Sequence, residues 1–315
     1  MSVAMTKGPI VNIYDYDGVF TENAPLGAKS WFRCGGAADL LFEPDDMDDL
    51  ARFLKNYPSG ESLTILGGMA NTIVRDGGIR GVTVMLGKPF AEIQVQGTKI
   101  MAGAGALNGS VAAAAAKAGI GGLEFLSGIP GSVGGALKMN AGAYGAEVKD
   151  VLVGAMALAR DGVFTPLLPE DMKFSYRYCG VPEGSVFIGA VFQGEREDKA
   201  IVKKRLKKIK TERQKTQPIS EKTGGSTFAN PSAEQLKKAG LEEGTRAWQL
   251  VERAGGRELE IGGARMSDKH LNFMINSSGA SASDLEALGD ELIKRVKAEC
   301  GVELHWEIRR VGERS

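Results

Sequence analysis

Apolar positions along the chain fall into helical and strand patterns that mark out its elements. Residues 45–57 (DDMDDLARFLKNY) open with carboxylates and place Leu50, Phe53 and Leu54 on one face. That spacing predicts an amphipathic helix with acidic residues at its positive end. Residues 63–66 and 81–86 are apolar runs bounded by glycine, which predicts buried strands around the loop GGMANTIVRDGG. Residues 98–102 read as a strand and 108–117 as an alanine-rich helix. Strands are expected at 151–158, 163–167 and 185–192, the first two joined by Asp161-Gly162, a hairpin turn signal. Residues 195–214 predict a helix with six lysines and three arginines that stops short of Pro218. Helices at 245–254 and 281–299 and a final strand at 302–311 complete the pattern.

Charge and composition exclude several function classes. The 315 residues carry 39 Lys+Arg against 39 Asp+Glu, so no excess of positive charge favours nucleic acid or an anionic membrane. The first twenty residues hold Asp15 and Asp17 and lack a basic start followed by an apolar run, which argues against a signal peptide. The apolar stretch 101–120 is mostly Ala and Gly, too weakly hydrophobic to span a bilayer. Cys34, Cys179 and Cys300 are odd in number and far apart, which speaks against a disulfide framework and for the cytoplasm. With only His270 and His305, His-based metal sites and a Ser-His-Asp triad spread along the chain are disfavoured, and no metal is expected.

The 43 glycines are about twice the usual share, and they cluster. GAGALN (103–108) starts like a dinucleotide-binding fingerprint but has Asn108 in place of the third glycine. Gly87-Lys88 resembles the end of a P-loop, yet Pro89 replaces its Ser/Thr. Gly67-Gly68-Met69-Ala70-Asn71 after a strand, and GIPGSVGGA (128–136), each offer backbone N–H groups suited to a pyrophosphate. Either loop alone reads more often as a tight turn with no ligand. Two in one candidate domain point to a large dinucleotide.

Longer blocks carry a family resemblance. NAPLGAKSWFRCGGAAD (23–39), LGGMANTIVRDGG (66–78) and GLEFLSGIPGSVGGALKMNAGAYG (122–145) resemble the UDP-N-acetylmuramate dehydrogenases, also called UDP-N-acetylenolpyruvoylglucosamine reductases. FSYRY (174–178), GGSTFANP (224–231), IGGARMSDKHLNFMIN (261–276) and GVELHWEIRRVG (301–312) continue the match in family order. The resemblance implies an α+β, three-part FAD-binding fold of the PCMH/vanillyl-alcohol-oxidase type with a C-terminal substrate-binding domain. Residues 1–88 and 89–206 would form the two parts of the FAD module, and 207–315 the substrate domain, its last strand returning to the flavin site. It further implies a monomeric enzyme of peptidoglycan precursor synthesis that reduces UDP-N-acetylglucosamine-enolpyruvate to UDP-N-acetylmuramate, with FAD as cofactor and NADPH as reductant.

Site residues follow from the same resemblance. Ser226 is the implied proton donor, Arg177 pairs with the developing enolate, and Glu307 returns a proton to Ser226 or polarises the enol. Gly67, Gly68 and Asn71, with Gly128, Ile129, Pro130, Gly131, Ser132, Gly134 and Gly135, are the implied FAD contacts. The family commonly has Gly-Ser where this chain has Met69-Ala70, which removes one hydroxyl and one permissive glycine from the cradle. No histidine precedes His270, so a histidyl flavin link from the FAD module is excluded and non-covalent FAD is expected. Tyr176, Asn230 and His270 occupy positions the family uses around substrate, while Arg213 and Lys215 are candidates for the substrate diphosphate. The competing readings are a different FAD enzyme on this scaffold, such as an alcohol oxidase, and a catalytically silent binding protein.

Overall fold

A computed structural model describes residues 11–315, whose strands and helices gather around successive hydrophobic cores. In the first unit, helix Met47–Asn56 begins where the Asp46 side chain accepts from the Asp49 amide. It buries Leu50, Phe53 and Leu54 against Phe42, Val82 and Val84, as the periodicity requires. The sheet beneath has four strands in the order Val19–Pro25, Ala37–Glu43, Ile79–Met85, Leu63–Leu66. The first pair is antiparallel and the others are parallel. Val19–Pro25 carries no regular apolar alternation because it is an edge strand with most residues exposed.

The second unit is a five-stranded antiparallel sheet ordered Phe164–Leu167, Leu152–Leu158, Val186–Gln193, Lys99–Gly103, Ile93–Gln96. Helix Asn108–Ala118 buries Val111, Ala112 and Ala115 in the same core. The basic helix, Lys199–Thr216, starts at Asp198, whose carboxylate accepts from the Ala200 and Ile201 amides. It runs unbroken through residues 206–207, where a domain boundary is expected from the sequence. Leu206 packs on the middle core and Arg205 pairs with the buried Glu124 at 2.8 Å, so the helix stays with the second unit and the crossing follows Thr216.

The third unit is a four-stranded antiparallel sheet ordered Thr223–Ser226, His270–Asn276, Ala264–Ser267, Glu260–Ile261, covered by helices Ala247–Arg253 and Ala282–Cys300. Phe32 and Ile73, from the first unit, are buried in this third core. The final strand is shorter than the expected 302–311: only Arg309–Val311 forms a ladder, parallel to Thr72–Val74. Val302, Leu304 and Ile308 instead turn into the third core, and the chain there is held by separate bonds to residues 227–229. No helix among the described residues is long and apolar enough to cross a membrane.

Candidate active site

The two glycine loops meet. A Cβ on Gly68 would stand 3.2 Å from the Gly131 Cα, and one on Gly131 would stand 3.3 Å from the Ala70 Cβ. Glycine at 68 and 131 is what allows backbone to approach backbone here. The amides of Gly68, Met69, Ala70, Gly131 and Ser132 donate to no acceptor among the described residues. Asn108 enforces part of this arrangement. Its Nδ2 donates to the carbonyls of Gly131 and Ser132 at 3.1 and 3.3 Å, and its backbone N–H also donates to Gly131 O, so these carbonyls face helix Asn108–Ala118. Free N–H groups concentrated on two touching loops suit a diphosphate, so the residues present fit the pyrophosphate of FAD.

Met69 and Ala70 do not spoil the cradle. Met69 adopts a left-handed φ of 48°, which costs a non-glycine residue roughly 1–2 kcal/mol. Its side chain is buried beside Leu26, Leu66, Val74 and Ile79, an apolar contact that offsets the strain. Ser132 Oγ lies 2.9 Å from where a Gly67 Cβ would be, so this hydroxyl sits against the first loop.

Beside the cradle, the Glu307 carboxylate gathers two groups. Arg177 Nε donates to its Oε1 at 2.7 Å, and Tyr176 Oη donates to its Oε2 at 3.3 Å. The Arg177 guanidinium also stands over the Tyr176 ring, 4.9 Å from its centroid. Burial works most strongly against the charge on Arg177, but the charge and hydrogen bond of Glu307, with Tyr176 and Glu147, together outweigh it and the guanidinium titrates above its ordinary range. Burial, and then the Glu307 charge, push the Tyr176 phenol upward, so it remains a donor. Arg177 sits in a tight turn, Ser175–Tyr178, at a left-handed φ of 54°. The buried Asn140 holds that turn by donating from Nδ2 to the Ser175 carbonyl and to Glu147, each at 3.1 Å.

Ser226 ends strand Thr223–Ser226, opposite Phe273. Its neighbour Thr227 accepts the Glu307 amide at 2.8 Å, which brings the serine strand alongside the glutamate segment. Asn272 fixes this stretch: its Oδ1 accepts from the Phe228 amide at 3.0 Å and its Nδ2 donates to the Phe228 carbonyl at 2.8 Å. His270 accepts the Asn272 amide on Nδ1 at 3.1 Å and packs edge-on against Phe273. Burial lowers its pKa, so the ring is held neutral with its proton on Nε2.

The remaining expected residues lie outside this cluster of contacts. Asn230 Oδ1 accepts from the Ala247 amide, so part of its capacity is taken in starting helix Ala247–Arg253. Arg213 donates to Ser127 O at 3.2 Å, beside the second glycine loop, and burial lowers its pKa. Lys215 is exposed on the last turn of helix Lys199–Thr216. The residues that sequence reasoning missed are the supporting asparagines 108, 140 and 272. The available signal was an amide side chain set among small and apolar residues, as in KMNAGAYG and HLNFMIN.

Comparison with known proteins agrees with this geometry. Residues 38–165 match an FAD binding domain, and residues 217–311 match the C-terminal domain of UDP-N-acetylenolpyruvoylglucosamine reductase. The chain is 47% identical over 298 residues to the UDP-N-acetylenolpyruvoylglucosamine reductase of Gluconobacter oxydans, covering 95% of this chain and 94% of that one. It is 46% identical over 314 residues to the Parvibaculum lavamentivorans protein of the same name, covering 100% and 98%. The crystal structure of the Thermus caldophilus reductase superposes with a TM-score of 0.75 at 30% identity, over 93% of this chain and 98% of that one. By these matches over nearly its whole length, this chain belongs to the UDP-N-acetylenolpyruvoylglucosamine reductase family of FAD-dependent oxidoreductases.

Proposed function

We propose that the protein reduces UDP-N-acetylglucosamine-enolpyruvate to UDP-N-acetylmuramate with NADPH as reductant, with Ser226, Arg177 and Glu307 as its catalytic residues. The observation that carries this reading is the 2.7 Å Arg177–Glu307 pair, set between the flavin cradle and the serine strand. Bound FAD would accept the reducing equivalents of NADPH and supply the hydride that adds to the terminal carbon of the enolpyruvyl group. The free amides of Gly68, Met69, Ala70, Gly131 and Ser132 would hold its pyrophosphate, with Gly67, Gly128, Ile129, Pro130, Gly134 and Gly135 shaping the loops. Burial drives the Cys34 thiol up to about 12, so it stays protonated, which supports non-covalent attachment.

The protein's own groups account for the rest of the reaction. Hydride addition at one alkene carbon leaves an electron pair on the carbon that bears the carboxylate, and the charge spreads onto the carboxylate oxygens. Arg177 offers a fixed, permanently charged fork to those oxygens. The substrate carboxylate therefore competes with Glu307 for the guanidinium, while Tyr176 keeps a hydrogen bond on Glu307. Ser226 gives its hydroxyl proton to the carbanionic carbon, forming the C–H bond as its O–H bond breaks. A proton relayed through Glu307 restores the hydroxyl, so the net reaction consumes one hydride and one proton. His270, neutral and donating from Nε2, is suited to a substrate oxygen, and Arg213 and Lys215 to the diphosphate.

The test follows the flavin absorbance of purified Ser226→Ala holoenzyme. Bleaching by NADPH should match the wild type, while recovery on adding the enolpyruvyl UDP-sugar without oxygen should slow by roughly 10²- to 10⁴-fold. Unchanged recovery would remove Ser226 from the mechanism. Recovery only with oxygen in the wild type would favour an oxidase.

A further inference from the structure

We propose that Asn71 is a positioning residue that fixes the catalytic carboxylate of Glu307 to the flavin cradle, rather than a side-chain ligand of the FAD pyrophosphate. The inference rests on the assignment of Glu307 to the catalytic machinery above. Asn71 ends the first glycine loop, yet its side-chain amide is engaged with a segment far along the chain. Its Nδ2 donates to the backbone carbonyl of Glu307 at 3.0 Å, and its own carbonyl accepts the Arg309 amide at 3.0 Å.

The parallel ladder between Thr72–Val74 and Arg309–Val311 stops short of Glu307. Asn71 supplies one further rung with its carboxamide, so the pairing reaches the residue that carries the carboxylate. On the other side, the Glu307 amide donates to Thr227 O at 2.8 Å, one residue from Ser226. The Glu307 peptide is therefore gripped at both ends: its C=O by the flavin loop and its N–H by the serine strand. A peptide held this way has little freedom to rotate, and the carboxylate it carries is aimed at Arg177 and Tyr176.

Asn71→Ala removes the rung, and Asn71→Asp keeps the shape while replacing the donor with an acceptor. Both are compared with Glu307→Gln by stopped-flow absorbance of the holoenzyme and by titrating FAD into deflavinated protein. Both Asn71 variants should slow the sugar-dependent recovery roughly 10- to 100-fold while FAD affinity and NADPH bleaching stay within about threefold of wild type. The deficit of Asn71→Asp should shrink as pH falls, because a protonated carboxyl can again donate to the Glu307 carbonyl. A contact that merely holds the loop together would lower FAD affinity along with recovery, and the titration of FAD into deflavinated protein reads that difference. Asn71→Asp carries the test should the alanine variant fail to fold. Lost FAD affinity with normal recovery at saturating FAD would overturn the proposal and make Asn71 a cofactor ligand. Normal recovery in Glu307→Gln would instead remove the reading of Glu307, and this inference with it.

Discussion

Phe32 and Gly224 are in direct contact across two units: a Cβ on Gly224 would collide with the edge of the Phe32 ring. Phe32 belongs to the WFRCGG block of the first unit, and its ring is fully buried in the third core, two residues upstream of the serine along the facing strand. Gly224→Ala should therefore lower stability by about 1–3 kcal/mol, the range for forcing an extra methyl into a packed core. It should also reduce turnover by moving Ser226. Thermal unfolding and steady-state rates on the same preparation check both.

Gly289 is a second forced glycine, in the middle of helix Ala282–Cys300 and against the indole of Trp306. Alanine is ordinarily better than glycine inside a helix by about 1 kcal/mol. Here Gly289→Ala should be destabilising instead, because Trp306 is also tied to Asp290 by an indole hydrogen bond of 3.0 Å and cannot retreat freely. A lower denaturation midpoint than wild type is the expected result. A raised midpoint would show that the ring moves aside.

Arg75 joins the flavin-side loop to the third unit through the buried Glu286, at 2.8 Å, and donates to the Gly312 carbonyl. Removing one partner of a buried pair leaves a charge uncompensated. Arg310 and Arg314 also face Glu286, at 4.0 and 3.2 Å, so the remaining carboxylate keeps some compensation. Arg75→Ala should cost about 1–3 kcal/mol in urea unfolding, less than an isolated buried pair would. Glu286→Gln, which takes the carboxylate from Arg75 and from Arg310 and Arg314 together, should cost at least as much as Arg75→Ala.

His270 links stability to pH. Its folded pKa lies below the ordinary 6.5 because burial disfavours the cation. Between those two values the unfolded chain binds the proton and the folded chain does not, so stability falls as pH drops below 6.5 and is fully retained above it. His270→Asn keeps an acceptor for the Asn272 amide but cannot titrate. The variant should show a flatter stability profile between the unfolded and folded pKa values, measured as unfolding midpoints across pH.

Periodicity made helix Met47–Asn56 and the strands of the middle sheet legible, because each buries one face against a single core. It missed Val19–Pro25, whose exposed edge carries no alternation, and it overextended the last strand, since Val302 and Leu304 alternate for the third core and not for a ladder. At the site, the motifs marked the positions of Arg177, Ser226 and Glu307 but not what orients them. Asn71, Asn108, Asn140 and Asn272 each bond backbone groups of other segments, the Asn71–Glu307 pair spanning 236 residues. Such contacts leave no local trace. Several glycines of the WFRCGG and VRDGG blocks have a packing rather than a ligand role, since a Cβ at Gly35 or Gly36 would run into Val74 or Asp76 backbone.

The parallel pairing of Arg309–Val311 with Thr72–Val74 also orders events in time. As the ribosome extends the chain, the first glycine loop emerges early, while its ladder partner and the glutamate it holds are made 236 residues later. Until then the loop has no strand to pair with, and Arg177 has no carboxylate beside it. Closing so long a loop is a late and slow event in folding. A nascent or C-terminally clipped chain carries both glycine loops but not the segment that follows them so late, so the Arg177–Glu307 pair forms only once the two distant strands have zipped together.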